Sequence, residues 1–239
     1  MCLKRFYLEG KSMILAAHQP DFLPYPGLFY KIYKCDEFVF VDNVPFSTTN
    51  GISHHRNYIK TPSGKHLLTV PVKNHYGDSI RGSKINYDIN WREQHLSMLA
   101  ANYKRAWYFK DVLDFYESTI AEDYESIADL NIKLTTEICK RMGIERTFHM
   151  SSEKEFSTKK EDFVVELTKT FGGDVYYSGT GAASYLHRES FLEQGMDLVF
   201  SDYKPLVYRQ KWGVFTENLS VIDYLFNMGF KNPFEGEKI

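Results

Sequence analysis

The stretch "MILAAHQPDFLPYPGLFYKIYKCDEFVFVDNVPF", residues 13 to 46, decides the fold. It begins with a short apolar run that ends at His18 and Pro20, which is typical of a buried strand stopped by proline. The next residues, "YPGLFYKIY", place apolar side chains at helical spacing, and "EFVFVDNVPF" is a second strand rich in β-branched and aromatic residues. A strand, a helix and a strand within about 30 residues form a βαβ unit, so the two strands are predicted to be parallel.

The rest of the chain extends this pattern. "NYIKT" and "KHLLTVPV" predict a hairpin, and a continuous helical region follows at about residues 90 to 143. Strands then return at "TFHMSSE", "DVYYSGTGAASYL" and "MDLVFSDY", with helices between and after them. The fold is predicted to be α/β, with a Rossmann-like, mostly parallel sheet and a helical insertion. We expect one domain over residues 13–239, preceded by an extension of residues 1–12.

Composition excludes several classes of function. The 239 residues carry a net charge of −2, which argues against broad nucleic-acid binding. Three cysteines (Cys2, Cys35 and Cys139) lie far apart and form neither a metal-binding pair nor a disulfide framework, so a reducing cytoplasm is expected. No apolar run approaches the ~20 residues that span a bilayer. The opening "MCLKRFYLEGKS" lacks the apolar region of a signal peptide.

Eight motifs resemble the WbqC-like protein family, in order and nearly end to end: "HQPDFLPYPGLFYKI", "FVFVDNVPFS", "RNYIKTPSG", "LLTVPV", "WREQHLSMLAANYKRAWYF", "SIADLN", "YYSGTGAASYL" and "VFTENLSVIDYLFNMG". Members are mostly bacterial and are often encoded among genes for surface-polysaccharide or O-antigen synthesis. The resemblance implies a transferase of polysaccharide precursor synthesis that moves an acyl or aminoacyl group onto an amino sugar or nucleotide sugar. Relatives usually carry basic and aromatic residues where this chain has "STTNG" (residues 47–51), so any phosphate contact made there is expected to differ.

A weaker resemblance links residues 13 to 46 to the HIGH-motif nucleotidyltransferases, in which two histidines and a helix N-terminus hold nucleotide phosphates. His18 stands for the first histidine, but Leu28 occupies the position after Gly27 where the second is expected. This resemblance keeps a second hypothesis open, an ATP-dependent nucleotidyltransferase or ligase. A third hypothesis is a non-enzymatic protein that binds a substrate or acts as a scaffold for pathway partners.

Three residues are the catalytic candidates. His18 lies at the carboxyl end of the first predicted strand, where open α/β sheets bind ligands, and histidine suits general acid/base work near neutral pH. Asp21 lies in the same turn, and its alternative role is to cap the following helix. Asp42 ends the second strand and is predicted to face the same crevice and orient His18, with a turn role beside Asn43 as the alternative. The alternative for His18 is a ring that only fixes the turn.

Further polar residues are predicted to bind the substrate. Arg56 and Lys60 suit an anionic group, and a solvated surface is the alternative for both. "SGTG" follows a predicted strand and is expected to open a helix, as phosphate-binding turns do. Capping is the alternative for Asn218, and core packing for the two residues of the helical region. The predicted substrate contacts are Gln19, His54, His55, Arg56, Asn57, Lys60, His95, Asn102, Ser178, Gly179, Thr180, Gly181 and Asn218.

The sequence identifies no cofactor and predicts no metal site. It has no G-x-G-x-x-G after a strand, no P-loop and no paired CxxC. Adjacent residues of a strand point to opposite faces, so His54 and His55 would share one metal ion only from a loop. The predicted partner is a small, phosphate-containing substrate.

Overall fold

The computed structural model describes residues 12–47 and 53–237. In chain order the helices and strands are β1 (Ile14–His18), α1 (Pro26–Tyr33), β2 (Glu37–Phe40), β3 (Arg56–Thr61), β4 (Gly64–Thr69), β5 (Val72–Lys73), β6 (Lys84–Ile85), α2 (Trp91–Tyr103), α3 (Phe109–Ile120), α4 (Ile127–Arg141), β7 (Thr147–Met150), α5 (Lys160–Thr170), β8 (Val175–Ser178), α6 (Arg188–Leu192), β9 (Asp197–Phe200) and α7 (Val221–Met228).

Five strands form the main sheet, in the order β7-β2-β1-β8-β9, and every neighbouring pair is parallel. The predicted α/β fold with a Rossmann-like parallel sheet is confirmed. From β1 the chain moves outward through β2 and β7, and it then returns to place β8 on the other side of β1. In open sheets of this kind, ligands bind outside the carboxyl ends of the strands where the order reverses. That point lies between β1 and β8.

The two faces of the main sheet are covered by different helices. Successive residues of a strand point to opposite faces, so Ala16 and Phe38 belong to one apolar cluster while Leu15 and Val39 belong to another. The first cluster takes side chains from α1, α2, α3, α4 and α7, and the second from α5 and α6. The sheet is therefore the middle layer of three.

The helical region between β2 and β7 begins and ends where the sequence predicts. Ser126 forms a capping box with Asp129 at the start of α4, and Gly143 follows the end of that helix with a φ of +70°. Asn90 occupies the N-cap position of α2, but its side chain bonds Glu93 rather than the backbone.

One predicted helix is wrong. The glycine-rich turn after β8 opens only a 3-10 turn at Thr180–Ala182, and the next α-helix begins at Arg188. Two glycines within four residues, Gly179 and Gly181, weaken helix formation there. In the part of the chain that the structure describes, no helix has the length and apolar character to cross a membrane.

Candidate functional site

A cavity of about 70 Å³ opens at the carboxyl ends of β1 and β8, where the strand order reverses. We call it the switch-point cleft. Its walls come from the turn after β1, the first turns of α1, and the residues that follow β8 and β9. The lining residues are His18, Tyr25, Gly27, Leu28, Lys31, Gly179, Thr180, Ser201 and Tyr203.

The turn between β1 and α1 is held by three segments that are distant in sequence. Asn57 Nδ2 donates to the carbonyl of Leu23 at 2.8 Å, and Ser220 Oγ donates to the same carbonyl at 2.9 Å. Asn131 Nδ2 donates to the carbonyl of Pro20 at 2.9 Å. Leu23 adopts a φ of +41°, which a side chain rarely takes unless its surroundings enforce it. Asn57, a predicted substrate contact, therefore serves to fix this turn.

His18 and His54 both contact the carboxylate of Asp21. His18 Nε2 lies 3.3 Å from Asp21 Oδ2, and His54 Nδ1 lies 2.7 Å from Oδ1. Burial alone would raise the pKa of Asp21, but hydrogen bonds and charge from the two imidazoles hold that pKa well below its ordinary value of 3.8. Asp21 is therefore ionised and can stabilise a positive charge on His18.

The two histidines differ in exposure. The side chain of His18 is 40% exposed and borders the cleft, whereas that of His54 is 4% exposed. His18 Nδ1 has no hydrogen-bond partner among the residues that the structure describes, so this nitrogen is available to a ligand. His54 Nε2 is buried without a partner in the same part of the chain, and its ring meets Phe46 edge-on at 5.5 Å. His18 is thus the member of the pair that can reach a substrate.

Lys31 is the charged cleft residue that sequence reasoning missed, and Tyr25, Ser201 and Tyr203 were not predicted either. The side chain of Lys31 is buried, and its ammonium donates to the carbonyl of Ala17 at 2.6 Å and lies 5.9 Å from the Tyr176 ring centroid. Burial lowers the pKa of Lys31 to about 8. It is the one charged residue of "PGLFYKIY" and lies four positions after Gly27, so helical spacing could have placed it on the same face.

The start of α1 faces the cleft without a side-chain cap. Tyr25 occupies the N-cap position and makes no capping hydrogen bond, and Pro26 follows it. A Cβ atom at Gly27 would lie 2.1 Å from Tyr25 Cε2 and 2.9 Å from Tyr203 Cε1. Glycine is therefore required for these two rings to lie close over the first turn of the helix.

Half of the predicted glycine-rich turn lines the cleft. Gly179 and Thr180 belong to its wall, whereas Ser178 is buried below it and donates from Oγ to the Gly179 carbonyl at 3.3 Å. Gly181 is exposed and does not line the cleft. Ser201, which follows β9, completes this side and bonds through its backbone N–H to the Ser178 carbonyl at 2.7 Å.

The prediction that Asp42 orients His18 is corrected by its contacts. Asp42 is fully buried, and its carboxylate accepts hydrogen bonds from Arg81 Nη1 at 3.0 Å, Ser151 Oγ at 3.1 Å, and Ser152 N and Oγ at 3.0 and 2.7 Å. Because β2 lies between β1 and β7, Asp42 turns toward the residues that follow β7. The carboxylate beside His18 is that of Asp21. The alternative of Asp21 as a helix cap is also wrong, since the N-cap is Tyr25.

Lys60 does not line the cleft. Its buried ammonium donates to Gln210 Oε1 at 2.8 Å and to the carbonyl of Val214, and so it holds the segment of residues 201–220 that connects β9 to α7. Near it, Asp223 accepts hydrogen bonds from Tyr103 at 2.7 Å and Tyr208 at 2.8 Å. This cluster fixes the segment that supplies Ser201 and Tyr203 to the cleft.

His95 and Asn102 pack inside the protein. His95 Nε2 donates to the Thr69 carbonyl at 2.9 Å, while Nδ1 lies 2.7 Å from the Tyr116 hydroxyl; burial lowers the pKa of His95 to about 4. The amide of Asn102 donates to the Met98 carbonyl at 2.8 Å. These contacts are those of core residues, which was the alternative at both positions.

Four other predicted contacts do not line the cleft. Gln19 is exposed in the turn after β1, and Asn218 is exposed with a φ of +52°, while Ser220 caps α7. His55 Nδ1 lies 2.9 Å from Ser53 Oγ, and burial, with the charge of Arg56 as the next cause, lowers the pKa of His55 to about 4. Arg56 begins β3, half-buried.

Two further expectations fall on residues outside the described ranges. The structure does not describe residues 48–51 of the "STTNG" departure, nor residues 1–11 of the predicted extension of residues 1–12, which include Cys2. Among residues 12–47 and 53–237, no group of three or more His, Cys, Asp or Glu side chains could hold a metal ion.

Comparison with known proteins identifies relatives of the chain. The sequence pattern of the WbqC-like protein family matches residues 19–233 of this chain. The chain is also similar to uncharacterized protein Rv1507c of Mycobacterium tuberculosis, with 30% identity over 223 residues that cover 92% of this chain and 95% of that protein. No solved structure matches the chain significantly.

Proposed function

Because the chain belongs to the WbqC-like protein family, we propose that it is a cytoplasmic transferase of surface-polysaccharide precursor synthesis. In this proposal it transfers an acyl or aminoacyl group from an activated donor to the amino group of an amino sugar or nucleotide sugar. His18 is the general base, Asp21 positions it, and the switch-point cleft holds the substrate. The unit that does this is the single domain expected over residues 13–239.

The observation that carries this proposal is the contact of His18 with Asp21 at the edge of the cleft. Asp21 fixes the His18 ring through Nε2, at 3.3 Å, and leaves Nδ1 without a partner in the described chain. A carboxylate in this position keeps a histidine in one orientation and stabilises the imidazolium that forms when it takes a proton. The second imidazole, that of His54, fixes Asp21 from the buried side at 2.7 Å.

The transfer step uses these groups as follows. The amino nitrogen of the acceptor forms a bond to the carbonyl carbon of the donor, and the bond from that carbon to the leaving group breaks. His18 Nδ1 takes the proton that the nitrogen loses, and the imidazolium returns it to the leaving group. Asp21 remains ionised throughout, because its lowered pKa keeps it deprotonated at neutral pH.

The test combines a substrate panel with a matched pair of variants. The protein is incubated with amino sugars, nucleotide amino sugars and activated acyl donors, and new amides are detected by mass spectrometry. We expect His18→Gln to lower turnover by roughly 10²–10⁴-fold, the usual contribution of a general acid or base, without changing the melting temperature. His66→Gln, an exposed position on β4, is the control and is expected to behave as the original protein. Unchanged turnover in His18→Gln removes His18 from the mechanism.

Nucleotidyl transfer is the second candidate, and the uncapped N-terminus of α1 beside His18 favours it. Its test is the release of pyrophosphate from ATP in the presence of candidate acids or sugar phosphates. Release that depends on His18 would replace acyl transfer as the function. Tight binding of a nucleotide sugar without any product would instead support a substrate-binding protein.

A further inference from the structure

We propose that the switch-point cleft is a phosphate site in which Lys31 holds the charge, and that the substrate is a phosphate ester whose organic part lies against Tyr25 and Tyr203. This inference deepens the proposed function, since it names the group by which the same cleft recognises its substrate. It concerns binding alone and does not depend on which group is transferred.

The first argument is the charge of Lys31. The ammonium is buried at 8% exposure, and no carboxylate lies within 4 Å of it in the described part of the chain. A buried charge without an opposite charge is costly, so proteins pair it, neutralise it or use it to bind a ligand. The Ala17 carbonyl takes one of its three N–H groups. The other two can serve an anion in the cleft.

The second argument is the set of donors around the cavity. In the first turn of α1, Pro26 has no N–H and the Leu28 N–H donates to the Tyr25 carbonyl at 3.0 Å, so the N–H of Gly27 is the one left for a ligand among the described contacts. Thr180 and Ser201, which carry hydroxyl groups, also line the cleft, together with Gly179. Lysine, a helix N-terminus and hydroxyl donors are the groups that bind phosphate in proteins. In this cleft the helix N-terminus and the hydroxyl groups lie beside the Lys31 ammonium, which has no carboxylate partner in the described part of the chain.

The third argument is size. A cavity of about 70 Å³ is far smaller than the roughly 300–1,000 Å³ of a pocket that encloses a whole small-molecule ligand. It therefore holds one group of the ligand, and the rest must lie toward the opening. There the rings of Tyr25 and Tyr203 meet edge-on at 6.0 Å, and Tyr25 is 38% exposed. Such rings pack against the face of a sugar or a base.

Direct binding measurements test the proposal. Inorganic phosphate, pyrophosphate and uridine diphosphate are titrated into the protein by calorimetry at pH 7, with uridine as the phosphate-free comparison. We expect the three phosphates to bind and uridine to bind at least tenfold more weakly than uridine diphosphate. Lys31→Met is expected to lower phosphate affinity at least tenfold. Lys104→Met removes an exposed lysine at the end of α2 and is expected to change it less than twofold.

A second variant of Lys31 and the pH dependence of phosphate affinity complete the test. Lys31→Gln retains a donor for the Ala17 carbonyl without the charge, so it replaces Lys31→Met if that variant does not fold, and the same loss of affinity is expected. Between pH 7 and pH 9.5 the phosphate affinity of the original protein should fall, because Lys31 loses its proton near pH 8. Phosphate binding that survives in both variants, or its absence at millimolar concentration in the original protein, overturns the site.

Failure of the proposed function gives a different result. If no panel compound is converted, but phosphate binding depends on Lys31, the transferase proposal fails and the phosphate site stands. If amide product forms but inorganic phosphate does not bind the original protein, the site fails and the transferase proposal stands.

Discussion

At the carboxyl end of β2 the carboxylate of Asp42 accepts four hydrogen bonds and has no exposed surface. One strand away, at the end of β1, the ammonium of Lys31 has one backbone acceptor and borders a cavity. Both groups are buried charges at the same edge of the same sheet. Their surroundings are opposite, since protein groups satisfy the first completely and the second only in part.

This contrast separates a structural charge from a binding one. A buried charge whose bonds are all made by the protein stabilises one arrangement and has nothing to offer a ligand. A buried charge beside a cavity has donors that no protein group accepts. This destabilises the folded protein, and a ligand that binds those donors restores the stability. Exposure alone would not distinguish Asp42 from Lys31, because both are buried. The number of satisfied donors and acceptors does.

The largest expected effect tests the β2 end. Asp42→Ala removes the acceptor of four hydrogen bonds; the half-exposed Arg81 can turn to water and Ser151 Oγ keeps Asn43 Oδ1, but the two bonds from Ser152 are lost, so we expect the free energy of unfolding to fall by about 3–4 kcal/mol. Denaturant unfolding measures it. The matched control is Asp88→Ala, which breaks an exposed pair with Lys73 and should cost at most about 1 kcal/mol. Equal losses in the two variants would mean that the Asp42 network is not structural.

The second prediction concerns the β1 end and pH. The pKa of Lys31 falls from 10.5 in the unfolded chain to about 8 in the folded protein, a difference that corresponds to about 3 kcal/mol. Between pH 8 and pH 10.5 the unfolded state binds this proton and the native state does not, so stability rises with pH. The penalty is fully present below pH 8. Lys31→Met should therefore be the more stable protein at pH 7 without ligand, and its advantage should vanish near pH 10.5.

Unfolding curves of both proteins at several pH values measure this difference. The titratable groups that contact Lys31 or share its cleft are His18, Tyr25, Cys35, Tyr176 and Tyr203. They are present in both proteins, and burial raises the pKa of Cys35 to about 12 and also raises that of Tyr176. Subtracting one curve from the other therefore isolates Lys31. A difference that does not change with pH would show that Lys31 titrates normally.

The smallest expected effect sharpens the description of the cleft. Gly27→Ala adds a Cβ atom 2.1 Å from Tyr25 Cε2, so the partly exposed Tyr25 ring must turn away. We expect stability to change by at most about 1 kcal/mol, because alanine also lowers the entropy of the unfolded chain. Uridine diphosphate should bind several-fold more weakly while inorganic phosphate binds as before. Gly181→Ala is the control, since Gly181 does not line the cleft and its Cβ would meet no atom within 4 Å.

Local pattern was sufficient to predict part of this site. The apolar run before His18 and the prolines after it fix the strand and its exit, so the position of His18 at the carboxyl edge follows from sequence. The residue that contacts His18 could not be predicted in the same way. Asp42 was the natural candidate in a parallel sheet, but the strand that returns beside β2 is β7, and strand order is set by contacts between distant residues.

Lys31 also shows that a site formed by distant residues cannot be predicted from the local sequence pattern alone. Helical spacing places Lys31 on the face of α1 that carries Gly27, but that face has a meaning only once β8 lies beside β1. Conversely, His54 and Asn57 looked like ligand contacts because they are polar and clustered. In the structure His54 holds Asp21 and Asn57 holds the turn, so both act through another residue.

The hydrogen bonds that fix the turn after β1 have a consequence for folding during synthesis. The carbonyls of that turn are bonded by Asn57, Asn131 and Ser220, which leave the ribosome at widely separated times. The N-terminal βαβ unit can therefore form early, but its turn cannot be fully fixed until the chain has been made through Ser220. A nascent or C-terminally truncated chain would therefore carry His18 and Lys31 without the frame that gives them a site.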